Sequence, residues 1–108
     1  MSNKSVFWTN AARSDLEEII NFIAADSVSN ALSVLEKLEV KVATLASQPD
    51  RDRLVPELNH LGVCQYRELI ESPWRIIYRI EMNKVFVLAV MDSRRDLASI
   101  LLQRLVRP

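Results

Sequence analysis

Three residue types that usually punctuate a chain of this size are nearly missing. The 108 residues contain one glycine (Gly62), one cysteine (Cys64) and one histidine (His60). A single glycine excludes a glycine-rich phosphate loop, which needs several residues free to let backbone and phosphate approach closely. One cysteine excludes an internal disulfide and a thiolate metal cage. No Cys/His metal spacing exists, so neither a metal nor another cofactor is expected. No run reaches the roughly 18 apolar residues of a membrane span, and the opening MSNKSVFWTN has no apolar signal-peptide core. The expectation is a cytoplasmic protein without membrane contact.

What is present suits one ordinary globular domain over residues 1–108, with 49% apolar and 26% charged residues. A domain of this length buries roughly two-thirds of its unfolded surface, enough for a core without staples. The net charge of zero hides an asymmetry. Residues 1–60 carry six Lys/Arg against nine Asp/Glu, a net of −3. Residues 61–108 carry eight against five, a net of +3, and seven of those eight cations are arginine. Arginine pairs bidentately with carboxylate or phosphate, which lysine cannot do. Bulk nucleic-acid binding is not indicated by the overall charge, but a local anion site stays open.

Residues 4–8 read as a short strand, and Thr9 or Asn10 can cap the helix that follows. Ala12, Leu16, Ile19, Ile20 and Ile23 mark one face of that helix. Asp26-Ser27 breaks the pattern and can cap a second helix, striped by Ala31, Leu35, Leu38, Val42 and Leu45 and stopped at Gln48-Pro49. Residues 49–62 are a polar connection with a helical turn near Glu57-Leu58. Strands are expected over about 63–70, 74–81 and 84–91, joined by turns at Glu71–Pro73 and Met82-Asn83. The last of them is apolar on nearly every residue, as in a strand covered on both faces. Leu97, Ile100, Leu101 and Leu105 define a final amphipathic helix from near Ser93. The order β-α-α-β-β-β-α predicts an α+β single domain: an antiparallel meander sheet with an N-terminal helix hairpin packed on one face.

The arginines in these strands need a physical reason, because a cation in an apolar strand is costly without water or a partner. Suppose Leu69 faces Arg75 across the Glu71–Pro73 turn. Arg67, Arg75 and Arg79 then share one face, opposite the more apolar set of Tyr66, Glu68, Ile70, Trp74, Ile76, Tyr78 and Ile80. Arg94 and Arg95 add to the rim. The grouping depends on register, and two readings stay open: arginines paired with carboxylates (Glu68, Glu81 and Asp96, although Glu68 falls on the other face in this register), or a surface that contacts an anion. Cys64 falls in an expected strand and reads as a small buried hydrophobe. His60 reads as a loop surface residue, with a general base as the alternative. Trp8 and Trp74 read as core.

Several segments in order carry a resemblance: Trp8-Thr9; Ala12, Asp15-Leu16, Ile19, Phe22-Ile23-Ala24 and Asp26; Leu45 and Pro49; Val55-Pro56-Glu57-Leu58; Tyr66-Arg67-Glu68-Leu69; Arg75-Ile76-Ile77-Tyr78-Arg79-Ile80; and Arg94-Arg95-Asp96-Leu97. Nearly the whole chain resembles the RelE/ParE superfamily of type II toxin–antitoxin toxins, also called plasmid stabilisation proteins. The resemblance implies a growth-arresting toxin neutralised by a cognate antitoxin, with operator DNA reached only through that antitoxin. RelE-like members cut mRNA on the ribosome, and that branch would use Arg67, Arg75 and Arg95 as cationic catalytic residues. Here the last helix has neither tyrosine nor histidine, only Ser99 and Gln103, and Leu69 follows where that branch is rich in lysine. ParE-like members inhibit DNA gyrase, and Tyr66–Leu69 and Arg94–Leu97 resemble that branch more, although Asp92-Ser93 stands where it often has His-Gly. Arg67, Arg75, Arg79, Arg94 and Arg95 are the residues expected to contact target or antitoxin.

Overall fold

The computed structural model describes residues 3–106. Met1, Ser2, Arg107 and Pro108 lie outside the described residues, as does the side chain of Leu105, expected on the last apolar stripe. The elements are β1 (Ser5–Trp8), α1 (Asn10–Ala24), α2 (Val28–Ala43), β2 (Arg53–Leu54), α3 (Pro56–His60), β3 (Tyr66–Glu71), β4 (Trp74–Glu81), β5 (Lys84–Asp92) and α4 (Leu97–Val106). They form a mixed α+β domain around one five-stranded sheet, in the order β1-β5-β4-β3-β2. The meander β3-β4-β5 is antiparallel, while β1 joins its edge parallel to β5.

Local chemistry sets the helix starts. The Thr9 hydroxyl oxygen accepts the Ala12 N–H at 3.2 Å and donates to the Val87 carbonyl at 2.9 Å, so one side chain both caps α1 and ties it to β5. Ser27 caps α2 by accepting the Asn30 N–H at 3.1 Å. The helix gives way to a 3-10 turn at Thr44–Ala46, ahead of the expected stop at Pro49. Gly62, at φ 85°, closes the loop after α3 in a left-handed conformation that glycine adopts without strain.

The sheet has two cores. Ala12, Leu38, Val42 and Leu45 of the helix hairpin and the turn after it bury against Leu69, Ile76, Tyr78, Val85, Val87 and Val90, with Trp8 and Trp74 packed on as half-buried residues. On the other face, α3 and α4 bring Val55, Leu58, Leu97 and Leu101 onto Tyr66, Ile77, Ala89 and Met91. Each fully buried Val, Leu, Ile or Met side chain among them contributes about 1.5–3 kcal/mol. Strand β5 is therefore covered on both faces, as its unbroken apolar run predicts. A bulge near Leu88 shifts the β4–β5 pairing between Ile77 and Tyr78.

Beyond Val87, β1 no longer covers the outer edge of β5. Two side chains close it instead. The Asp15 carboxylate of α1 accepts the Val90 N–H at 3.0 Å, and Arg104 of α4 donates to the Leu88 carbonyl at 3.1 Å. Arg104 and Asp15 also pair bidentately at 2.8 Å for each contact. Helices on opposite faces are thus joined around the edge, which blocks strand addition there.

Three expectations need correction. Strand β3 starts at Tyr66, so Cys64 lies exposed in the preceding loop, not buried in a strand. Helix α4 starts at Leu97 and not near Ser93, because Asp92–Arg95 form a turn held by the Asp92 side chain. The third correction is register. Arg75 faces Ile70, not Leu69, and Arg67 faces Tyr78, not Ile77. This slip of one residue moves Arg67 to the hairpin face, away from Arg75 and Arg79.

Candidate functional site

With that register, Glu68 joins Arg75 on the α3/α4 face. Arg75 Nε donates to Glu68 Oε2 at 2.6 Å and Nη2 to Oε1 at 3.1 Å. The other side of the guanidinium grips Glu57 of α3, with contacts of 2.6 and 2.7 Å. Arg53 of β2 donates to Glu68 Oε1 at 2.8 Å. Glu68 is 1% exposed and Arg75 8%, so the charge-balanced quartet Arg53–Glu68–Arg75–Glu57 has a desolvated central pair, with Arg53 and Glu57 reaching solvent at its ends. Hydrogen bonds from Arg75 hold the Glu57 carboxyl below its ordinary value, and those same bonds raise the Arg75 guanidinium. The network docks α3 and the short β2 on the sheet.

Arg67, on the opposite face, donates from Nη1 to the Asp52 carbonyl at 2.6 Å. Beside it, the Tyr78 hydroxyl donates to the Pro49 carbonyl at 2.6 Å and lies 3.0 Å from Asp52 Oδ2. Burial first, then the Asp52 carboxylate, push the Tyr78 hydroxyl above its ordinary value. Together they fasten residues 49–52 to the sheet. Arg67 and Arg75 lie on opposite faces, so they do not converge on one phosphate.

The remaining arginines face solvent. Arg94 is 88% exposed in its side chain and pairs bidentately with Asp92, both contacts at 3.0 Å. The Arg94 side chain, then its backbone N–H, hold the Asp92 carboxyl at about 2. Arg95 is exposed and makes no ion pair among the described residues. Asp96 precedes α4 and accepts the Ser99 N–H and hydroxyl at 3.3 and 2.9 Å, capping its first turn. Arg79 Nη2 reaches Glu81 at 3.3 Å, and its Nε has no acceptor among the described residues. His60 ends α3, exposed.

The five arginines singled out in the sequence therefore occupy four surroundings. Arg75 is consumed by the quartet, Arg67 by the Asp52 carbonyl, Arg79 sits half-exposed on the sheet, and Arg94 and Arg95 form a turn. Sequence reasoning set Glu68 on the wrong face, and missed Glu57 and the Asp15–Arg104 clamp. A signal for the first existed. The register that gathered the arginines left Glu68 alone on a buried apolar face, and a buried carboxylate without a cation is costlier than an ungrouped arginine. For the clamp no local signal exists, since 89 residues separate its partners.

Among solved structures, the chromosomal ParDE toxin–antitoxin system from P. aeruginosa matches with a TM-score of 0.68 and 21% identity, over 82% of this chain and 95% of that one. The toxin–antitoxin complex RelBE2 from Mycobacterium tuberculosis matches with a TM-score of 0.59 and 20% identity, over 85% and 93%. At such identities the likeness concerns the fold, which is that of RelE/ParE toxins. No curated protein matches. The family model described as the ParE toxin of the type II toxin–antitoxin system, parDE, matches residues 6–97, and the chain belongs to that family.

Proposed function

We propose that this chain is a toxin that inhibits DNA gyrase and is held inactive by a cognate antitoxin. The ParE family match over residues 6–97 carries this reading, since it spans both Tyr66–Leu69 and Arg94–Leu97. The site chemistry is in keeping with it. The carboxylates with shifted acidity, Glu57 and Asp92, move down and Tyr78 moves up, all away from the neutral range where a general acid or base works. Inhibition by binding needs no such group, whereas message cleavage does.

The antitoxin in this reading folds onto the domain and sets acidic side chains against the exposed arginines, Arg79, Arg94 and Arg95. Purified protein should stop gyrase supercoiling at near-stoichiometric amounts and accumulate cleaved DNA, and antitoxin should reverse both. Unchanged supercoiling at large excess refutes the proposal. Cut message on programmed ribosomes would establish the RelE-like alternative, and harmless overexpression without antitoxin would mark an inactive binding domain.

A further inference from the structure

One end of the α3/α4 face carries a group of side chains that neither the quartet nor the arginine turn uses. Phe7 in β1, Phe86 in β5, Arg79 in β4 and Tyr66 in β3 are successive cross-strand neighbours, a rung across four strands. The two phenylalanine rings stack with centroids 5.6 Å apart and planes 25° from parallel. Arg79 Cζ lies 5.2 Å from the centre of the Phe86 ring, and Lys84 Nζ lies 5.9 Å from that of Phe7. Helix α4 packs on Ile77, Ala89 and Met91 further along the sheet, and Phe7 is left 44% exposed.

The cations here have capacity to spare. Arg79 is 37% exposed in its side chain and its guanidinium end makes one long contact, to the exposed Glu81, while its Nε is buried. Lys4 stands at the rim, donating to the Met82 carbonyl at 2.6 Å. On the shelf itself Lys84 is the cross-strand neighbour of Glu81, so Arg79 and Lys84 flank one carboxylate. The adjoining turn is also unusual. Met82 is 92% exposed and holds a left-handed φ of 53°, unfavourable for a residue with a β-carbon.

We propose that this shelf binds single-stranded nucleic acid, with an unpaired base stacked on Phe7 and adjacent phosphates on Lys84 and Arg79. Aromatic rings interleaved with cations suit that ligand, because every base has a π-face and every phosphate a charge. A duplex presents only base edges in its grooves and cannot stack on Phe7. An acidic peptide would use the cations and leave the ring pair in water. The proposal is independent of gyrase and of toxicity.

The test titrates the full chain into fluorescein-labelled oligothymidine of about ten nucleotides, read by anisotropy at several salt concentrations. Saturable binding below about 100 µM is expected, with little for a duplex of equal length. Two phosphate contacts give a slope of log affinity on log salt near −1.4, and Lys84→Ala should reduce it by about 0.7. Phe7→Leu keeps the apolar bulk without the π-face and should weaken binding roughly five-fold or more, while Phe7→Tyr should bind like the parent. Phe7 and Lys84 are exposed, and circular dichroism verifies that each variant keeps its fold. Absence of binding at 100 µM protein, equal affinity for the duplex, or unaltered binding by Phe7→Leu would overturn the proposal. Displacement by polyglutamate as effective, charge for charge, as by unlabelled oligothymidine would do the same and would leave Arg79 to the acidic antitoxin alone.

Discussion

Arg75 and Arg79 stand on the same face of β4, the one that α3 and α4 pack against. Four residues apart, they differ in what the rest of the chain delivers to them. Beside Arg75, β2, β3 and α3 bring Arg53, Glu68 and Glu57, and the guanidinium is saturated. Beside Arg79, the neighbours are Phe86, Tyr66 and an exposed Glu81, and a donor is left over. An arginine that is internally satisfied holds the fold; one whose guanidinium end is part-exposed with a single long ion pair is available for a partner. Residue type alone does not separate the two roles.

The sharpest way to break this contrast is to remove each cation in turn. Arg75→Met leaves the buried Glu68 with only the solvent-exposed Arg53 and should cost about 3–5 kcal/mol in urea unfolding. Arg79→Met should stay within about 0.5 kcal/mol. Equal losses would end the distinction. Arg75→Met combined with Glu68→Leu should recover much of the loss, because a buried ion pair replaced by apolar residues is close to neutral.

The edge clamp comes next in size. Asp15→Ala removes the acceptor of the Val90 N–H and the partner of Arg104, and should cost about 1–3 kcal/mol. Thermal unfolding measures the loss, and light scattering should reveal self-association through the bared β5 edge. A variant as stable and monomeric as the parent would show that the clamp is ornamental.

Acid separates the quartet from the surface more gently. The folded acidity of Glu57 is depressed below its ordinary value of 4.5, so its contribution is complete above that value and is lost as pH falls below it. In Glu57→Gln the urea midpoint should therefore fall less steeply between about pH 5 and pH 3 than in the parent. A parallel pH profile would place the acid sensitivity elsewhere.

The smallest effect is expected at the turn. Arg94→Ala should raise the Asp92 carboxyl from about 2 toward its ordinary 3.8, followed by NMR titration, while the thermal midpoint stays put. An unmoved titration would mean that the Arg94 side chain does not hold Asp92.

Much of the scaffold was legible because its signals are local. Thr9 and Ser27 cap where the sequence places caps, β4 runs from Trp74 to Glu81 as expected, and the apolar run of β5 is buried on both faces. Strand β2 escaped because two residues carry no periodicity. The arginine face was misread for a different reason: alternation along each strand was right, but the pairing between β3 and β4 was shifted by one residue.

The amino-acid order alone determined most of the elements and the α+β class, since caps, hydrophobic periods and turn residues act within a few positions of one another. Only the tertiary structure decided which arginines are spent and which remain. Pairing energies depend on carboxylates that arrive from distant segments, and a register change of one residue reverses every face.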